Sequence, residues 1–260
     1  MHTLRITLVQ AKLYWEDTLS NLNAFTEQLA PLAGQTDLIL LPEMFTTGFS
    51  MNATALAETM DGLTMQWLSE QAEKLEAVVT GSVIIKSNER YYNRLIWMRP
   101  DGTYDYYDKR HLFTMAEEHL TYTAGQAKKI IDYKGWKICP MICYDLRFPV
   151  WARNAEDYDL LFYVANWPVK RSFHWKSLLL ARAIENQAFV VGVNRVGLDG
   201  KGFYYTGDSC IVSPIGEYLF QAADRVVLHT QSIDRADVIA AREKLPFLGD
   251  RDVFVIDKVN

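Results

Sequence analysis

Three side chains far apart in the chain, Glu43, Lys109 and Cys143, are of the types that acyl-transfer chemistry needs. A thiol attacks carbonyl carbon once it loses its proton, so a base must stand nearby. Histidine is the usual base, but the five histidines, His2, His111, His119, His174 and His229, fall in no protease-like cysteine or histidine signature. A carboxylate can take the proton instead. A lysine beside the carbonyl oxygen can hold the developing negative charge and draw the thiol towards its thiolate. Each residue also has an ordinary reading, as a packed thiol, a loop acid and a surface cation. Their complementary roles point to chemistry.

The elements around them must bring these residues together. Lys137 to Ile142 is an apolar run that reads as a buried strand, and Pro149 suits the first turn of a following helix. Cys143 therefore falls on a strand-to-helix turn, where the helix dipole is expected to favour the thiolate. Asp37 to Leu41 is another strand and delivers Pro42-Glu43 at its C-terminal end, where open α/β sheets place ligand-binding groups. Tyr91 to Met98 and Thr103 to Tyr107 flank Pro100-Asp101-Gly102 and read as a hairpin whose second arm leads into Lys109. If these strands are neighbours, the three side chains meet.

Further strands are expected at residues 4 to 10, Ala77 to Ile85, Asp159 to Ala165, Ala188 to Val193 and Val226 to Gln231. Helices are expected over Asp17 to Leu32, with Leu19, Leu22, Phe25 and Leu29 on its apolar face, over Gly62 to Glu76, with Leu63, Trp67, Leu68 and Leu75, and over His174 to Asn186. Ser209 to Val212 and Tyr218 to Phe220 flank a Pro214-Ile-Gly216 turn as a second hairpin, and Asp234 caps a short final helix. Glu117 to Gly125 has no period and reads as a loop. Asp145 with Arg147 and Arg182 with Glu185 are possible structural ion pairs, and Cys139 and Cys210 read as packing residues. No linker or repeat interrupts the chain, which is read as one α/β domain over residues 1–260.

With 260 residues, 49% of them hydrophobic, and a formal net charge of -5, the chain can bury a substantial core and lacks the basic footprint of a nucleic-acid binder. Three cysteines without CxxC spacing argue against a disulfide framework and a zinc cage. No stretch could span a bilayer and no signal segment opens the chain, so a cytoplasmic enzyme acting on small molecules is expected.

Leu41-Pro-Glu-Met-Phe45, Tyr107-Asp-Lys-Arg-His-Leu-Phe113 and Cys143-Tyr-Asp-Leu-Arg-Phe-Pro149 resemble, in chain order, the three motif regions of the nitrilase superfamily of carbon-nitrogen hydrolases. Ala165-Asn-Trp-Pro168 and Ala181-Arg-Ala-Ile-Glu-Asn186 are similar to later familial stretches. The resemblance implies a four-layer α-β-β-α sandwich, a homodimer paired through helices, and a Glu-Lys-Cys triad needing no metal or cofactor. In it Glu43 is the general base, Lys109 the oxyanion stabiliser and Cys143 the nucleophile, with the Tyr144 backbone N–H completing the oxyanion hole. A second glutamate, Glu118 by its spacing to Gly125 or otherwise Glu117, holds the lysine.

Within the superfamily the chain is similar to the ω-amidase branch, and Tyr144-Asp145, standing where true nitrilases usually follow the cysteine with Trp-Glu, favours an amide substrate over a nitrile. The expected substrates are small α-keto-acid monoamides such as 2-oxoglutaramate and 2-oxosuccinamate. Phe45, Arg147, Trp167, His174 and Arg195 are candidate substrate-binding residues, with Arg171 a further cation for the keto-acid carboxylate. Competing readings are another amide, N-carbamoyl or nitrile hydrolase of the superfamily, and a binding protein on the same scaffold. A metal hydrolase built on His119, His174, Glu117 or Asp145 has no supporting ligand spacing.

Overall fold

The computed structural model describes residues 3–256 and contains two sheets packed face to face, with helices on their outer sides. In chain order the strands of the first sheet are β1 (Thr3–Gln10), β2 (Leu38–Leu40), β3 (Val78–Ser87), β4 (Arg90–Met98) and β5 (Tyr104–Asp108). The second holds β6 (Ile131–Tyr133), β7 (Trp136–Ile142), β8 (Leu160–Ala165), β9 (Phe189–Asn194), β10 (Val196–Leu198), β11 (Tyr204–Val212) and β12 (Tyr218–Ala223). Strand β13 (Val227–Asp234) returns to the first sheet, which has the order β13-β1-β2-β3-β4-β5. The second runs β10-β11-β9-β8-β7-β6, with β12 alongside β11.

Both sheets have a parallel centre. β1, β2 and β3 are parallel, as are β7, β8 and β9, while the outer strands pair antiparallel. Alternation on β1 sorts its side chains. Leu4, Ile6 and Leu8 join Trp97, Ile138 and Phe162 in the core between the sheets, whereas Val9, Ile39 and Leu41 pack towards the helices. Those helices are α1 (Thr18–Leu29) and α3 (Leu63–Leu75), with the short α2 (Ala53–Leu56) between them in sequence. The turn α4 (Glu118–Thr121), then α5 (Pro149–Ala152), α6 (Ser172–Asn186) and α7 (Arg235–Lys244) follow. α6 covers the outer face of the second sheet through Trp175, Leu179 and Ala183. This is the expected four-layer α-β-β-α arrangement.

Local expectations fare well where periodicity is strong. Asp17 caps α1 by accepting the Ser20 N–H, and Pro149 opens α5. Leu19 and Leu63 do not belong to buried faces: they are 62% and 47% exposed, because each sits in the first turn of its helix, beyond the layer's edge. β3 and β4 form a further hairpin, missed because its turn is Asn88-Glu89, both at positive φ, without the glycine that would announce it.

Candidate active site

Lys109 and Cys143 line a cavity of about 330 Å³, and Glu43 and Glu118 are enclosed behind them, both paired with Lys109. Glu43 follows β2 and is fully enclosed. Its Oε1 accepts hydrogen bonds from Lys109 Nζ at 2.8 Å and Asn93 Nδ2 at 2.8 Å, while Oε2 accepts the Asn166 N–H at 2.8 Å. Lys109 extends β5 by one residue, its N–H bonded to the Asn93 carbonyl and its own carbonyl to the Gly125 N–H. Glu118, at the start of α4, takes Lys109 Nζ between its two oxygens at 3.1 and 2.9 Å and also accepts from Asn93 Nδ2 and the Phe113 N–H. Glu117 is exposed and in the left-handed region, so of the two acids the lysine is held by Glu118.

Cys143 follows β7 directly with φ of 43°, and Met44, beside Glu43, has the same φ of 43°. Left-handed backbone at two non-glycine positions costs free energy that the surrounding structure must supply. The Met44 N–H is anchored on Ser82 Oγ at 2.8 Å. At the cysteine turn the anchor is Asp145. Its Oδ2 accepts the Ile142 N–H and the Tyr107 hydroxyl, and Oδ1 accepts the His111 N–H with His111 Nδ1 2.8 Å away. Asp145 thus ties the turn at Cys143 to the segment that carries Lys109. The expected Asp145–Arg147 pair does not form, because Asp145 points inward and Arg147 points into the cavity. Arg182 and Glu185 do pair, at 2.8 Å.

Burial and two acids set the charge states. Desolvation works against the Lys109 ammonium, but Glu118 and Glu43 outweigh it and hold the lysine charged well above its ordinary range. Burial, and then repulsion from Glu43, push Glu118 up against the opposing pull of Lys109. Cys143 departs from expectation. Burial and Glu43 raise its thiol well above the usual range, and Lys109 only partly offsets them. A single 3-10 turn, Cys143–Arg147, follows the sulfur, too short to supply the dipole anticipated from a full helix. This direction favours the neutral thiol at Cys143, with the enclosed Glu43 side chain in the same cluster.

The cavity walls carry Phe49, Phe113, Tyr144, Trp167 and Tyr205, with Arg147 and Arg171 at the sides. Arg147 lies over the Trp167 ring at 4.8 Å and Arg171 over the Phe113 ring at 5.2 Å. Three expected substrate contacts fall elsewhere. Phe45 is buried against Phe25 and Trp67 in the helix-facing core, since the tight turn after Glu43 sends successive side chains to opposite sides. His174 is exposed on α6, its Nδ1 3.1 Å from an Arg147 nitrogen. Arg195 is fully buried outside the cavity lining, bonded to the carbonyls of Leu198 and Leu13. Asn93 and Phe49 were not foreseen. An amide in mid-strand and an aromatic nine residues beyond a strand carry no sequence signal of their own. Among the described residues, no cluster of His, Cys, Asp or Glu is disposed to hold a metal ion.

Residues 5–243 match the family model described as Carbon-nitrogen hydrolase. The chain belongs to the carbon-nitrogen hydrolase family. It is 48% identical over 98% of its length to the omega-amidase YafV of Escherichia coli strain K12, covering 99% of that protein. It is 36% identical over 82% of its length to a 2-oxoglutaramate amidase of Bacillus subtilis, covering 84% of that protein. Among solved structures, the carbon-nitrogen hydrolase superfamily protein XC1258 of Xanthomonas campestris superposes with a TM-score of 0.97 at 46% identity, over 99% of this chain and 100% of that one. That structure carries an arsenic adduct in its active site. The nitrilase-superfamily resemblance read from the three motifs thus holds, and within the superfamily the chain falls in the ω-amidase branch.

Proposed function

We propose that this enzyme hydrolyses the terminal amide of small α-keto-acid monoamides, 2-oxoglutaramate and 2-oxosuccinamate, to the dicarboxylate and ammonia. The observation that carries the chemistry is the enclosed Glu43–Lys109–Glu118 cluster beside the Cys143 thiol at the cavity floor. The names of the relatives, omega-amidase and 2-oxoglutaramate amidase, support the substrate.

In this reading Cys143 Sγ attacks the amide carbon while its proton passes to Glu43, which then delivers it to the leaving ammonia. The oxyanion is met by Lys109 Nζ and by the Tyr144 N–H, which lies in the first turn of the 143–147 segment, where backbone donors have no partner within the turn. Water, deprotonated by the same Glu43, then cleaves the thioester. Glu118 keeps Lys109 charged and placed, and Arg147 receives the carboxylate of the keto acid, with the Trp167 ring beneath it. The whole chain acts as one domain. It works in the cytoplasm on a small-molecule substrate, with no nucleic acid or membrane partner. The exposed Val150, Phe173 and Ile184 of α5 and α6 support a homodimer joined through these helices.

Ammonia release from a panel of keto-acid amides, plain amides, N-carbamoyl amino acids and nitriles tests the assignment. Keto-acid monoamides are expected to give the highest kcat/KM, and a clearly higher value for a nitrile or N-carbamoyl amino acid would move the enzyme to another branch. Cys143→Ala is expected to abolish turnover. Lys109→Ala is expected to slow thioester formation about a hundredfold, the scale of losing an oxyanion donor.

A further inference from the structure

The cavity is electrically divided. Behind its floor the Lys109 ammonium is held by two enclosed carboxylates, so the net charge there is zero or negative depending on whether Glu118 holds a proton. The walls are the reverse. Arg147 and Arg171 both line the cavity, and among the described residues neither has a carboxylate partner. Asp199 is the acid beside them. Its oxygens are already taken by the Lys201 and Phe203 N–H groups of its own hairpin and by the Tyr205 hydroxyl. Burial and the neighbouring Arg171 depress the Arg147 guanidinium, so the two cations sense each other with no anion between them.

The segment that holds them is braced. The Trp167 indole N–H donates to the Arg171 carbonyl at 2.8 Å, and the adjacent Ser172 hydroxyl donates to Asp208. The ring supporting Arg147 is therefore fixed by the backbone of Arg171. Stacking on Trp167 and Phe113 covers one face of each guanidinium; His174 Nδ1 meets one Arg147 nitrogen at 3.1 Å, and the remaining N–H groups suit contact with a carboxylate. Two like charges held close without a counter-ion are costly, and a bound anion removes that cost.

We propose that Arg171 is a specificity-determining residue, completing with Arg147 a two-arginine seat for the carboxylate at the far end of the substrate. The inference rests on the amidase reading. A molecule with a neutral amide at one end and a carboxylate at the other is oriented by this division: the floor repels the carboxylate, the seat takes it, and the amide is left at Cys143. An uncharged amide gains nothing from the seat.

The test compares 2-oxoglutaramate with its carboxylate methyl ester as substrates of the wild type, Arg171→Gln and Arg171→Lys. Arg171→Gln is expected to raise KM for 2-oxoglutaramate about 30-fold, the scale of a lost charge-assisted hydrogen bond, while kcat and the ester's kinetics change less than about threefold. Arg171→Lys is expected to recover part of the loss. Equal losses on both substrates, or none on either, overturn the proposal, as does a loss that follows Lys201→Gln instead. Calorimetric titration of 2-oxoglutarate into Cys143→Ala, with and without Arg171→Gln, reads the seat without turnover. Weaker binding in the double variant supports it, and unchanged binding refutes it. Should the wild type hydrolyse no keto-acid amide, the amidase reading falls while this titration still decides on the seat.

Discussion

Glu118→Gln changes one charge and almost no volume at the centre of the site. The native carboxylate accepts two bonds from Lys109 Nζ and one each from Asn93 and the Phe113 N–H, with no solvent contact. Glutamine keeps an acceptor oxygen for the Phe113 N–H but leaves Lys109 with Glu43 as its sole acidic partner. Removing one member of a buried ion pair costs about 3–5 kcal/mol when the other is stranded. Lys109 is not stranded here, so a loss of about 2 kcal/mol is expected, visible as a lower urea midpoint with an unchanged slope. Activity should suffer more. The ammonium then leans wholly on Glu43, making that carboxylate a poorer base for a thiol that burial already keeps protonated. A fall in kcat of about a hundredfold with little change in KM is expected from ammonia release at saturating substrate. Glu117→Gln, at an exposed position, should stay within about threefold of the wild type. Near-normal turnover by Glu118→Gln, or an equal loss in Glu117→Gln, would refute the argument.

In the free enzyme the raised Cys143 thiol should be alkylated by iodoacetamide at a rate that climbs through about pH 9 without a plateau. Cys139 and Cys210, enclosed and pushed up to about 12 by burial, should stay unlabelled by peptide mapping, and a plateau near pH 7 would contradict the neutral resting thiol. Asp37 is partly buried, yet hydrogen bonds from Arg5 and Lys134 bring its carboxyl down to about 2. A depressed acid stabilises the fold above its unfolded value of about 3.9 and loses that contribution as pH falls through its folded value. Asp37→Asn, followed by urea denaturation, should therefore cost about 1–2 kcal/mol at neutral pH after allowing for solvent screening, a cost that shrinks as pH falls towards 2 and vanishes well below it. Gly125→Ala would place a methyl group 2.1 Å from the Asp108 carbonyl oxygen, against the strand end that presents Lys109. It should lower stability by about 3 kcal/mol in urea denaturation and depress kcat, and a stable, fully active variant would contradict this reading of the contact.

The parts legible in the sequence are those whose physics is local or ionic. Apolar runs bounded by Pro42 and Pro149 mark the strand ends that deliver Glu43 and Cys143, and the Pro100-Asp101-Gly102 turn marks the hairpin that delivers Lys109. A buried charge needs a partner, so Glu, Lys and Cys at three strand ends suggest one another. The orientation of a side chain just past a strand has no such signal. Phe45 and Phe49 are the same residue type four positions apart, yet one packs into the helix-facing core and the other lines the cavity, a difference made by the tight turn at Met44. Arg195 failed as a carboxylate ligand for a related reason: it follows β9 directly and its chain turns inward over Tyr205 at 4.9 Å.

The uncharged residues of the site show why the two sheets must act together. Glu43, Lys109 and Asn93 belong to the first sheet's strands or their ends, while Cys143 and Asn166 directly follow strands of the second. Asn166 spans the gap, its N–H on Glu43 Oε2 at 2.8 Å, its side-chain Nδ2 on the Glu43 carbonyl at 2.6 Å, and its carbonyl 3.9 Å from Cys143 Sγ. Asp145 makes a second tie across the same gap, to Tyr107 and His111. In the proposed mechanism a proton moving between Sγ and Glu43 crosses between the sheets, and its path length is set by the packing of the core between them. Side chains there, such as Trp97, Ile138 and Phe162, touch none of the reacting atoms, but a cavity opened among them would change the separation of base and nucleophile. Since misplacement of about 1 Å can cost about a hundredfold in rate, the inter-sheet core is as much a determinant of turnover as of stability.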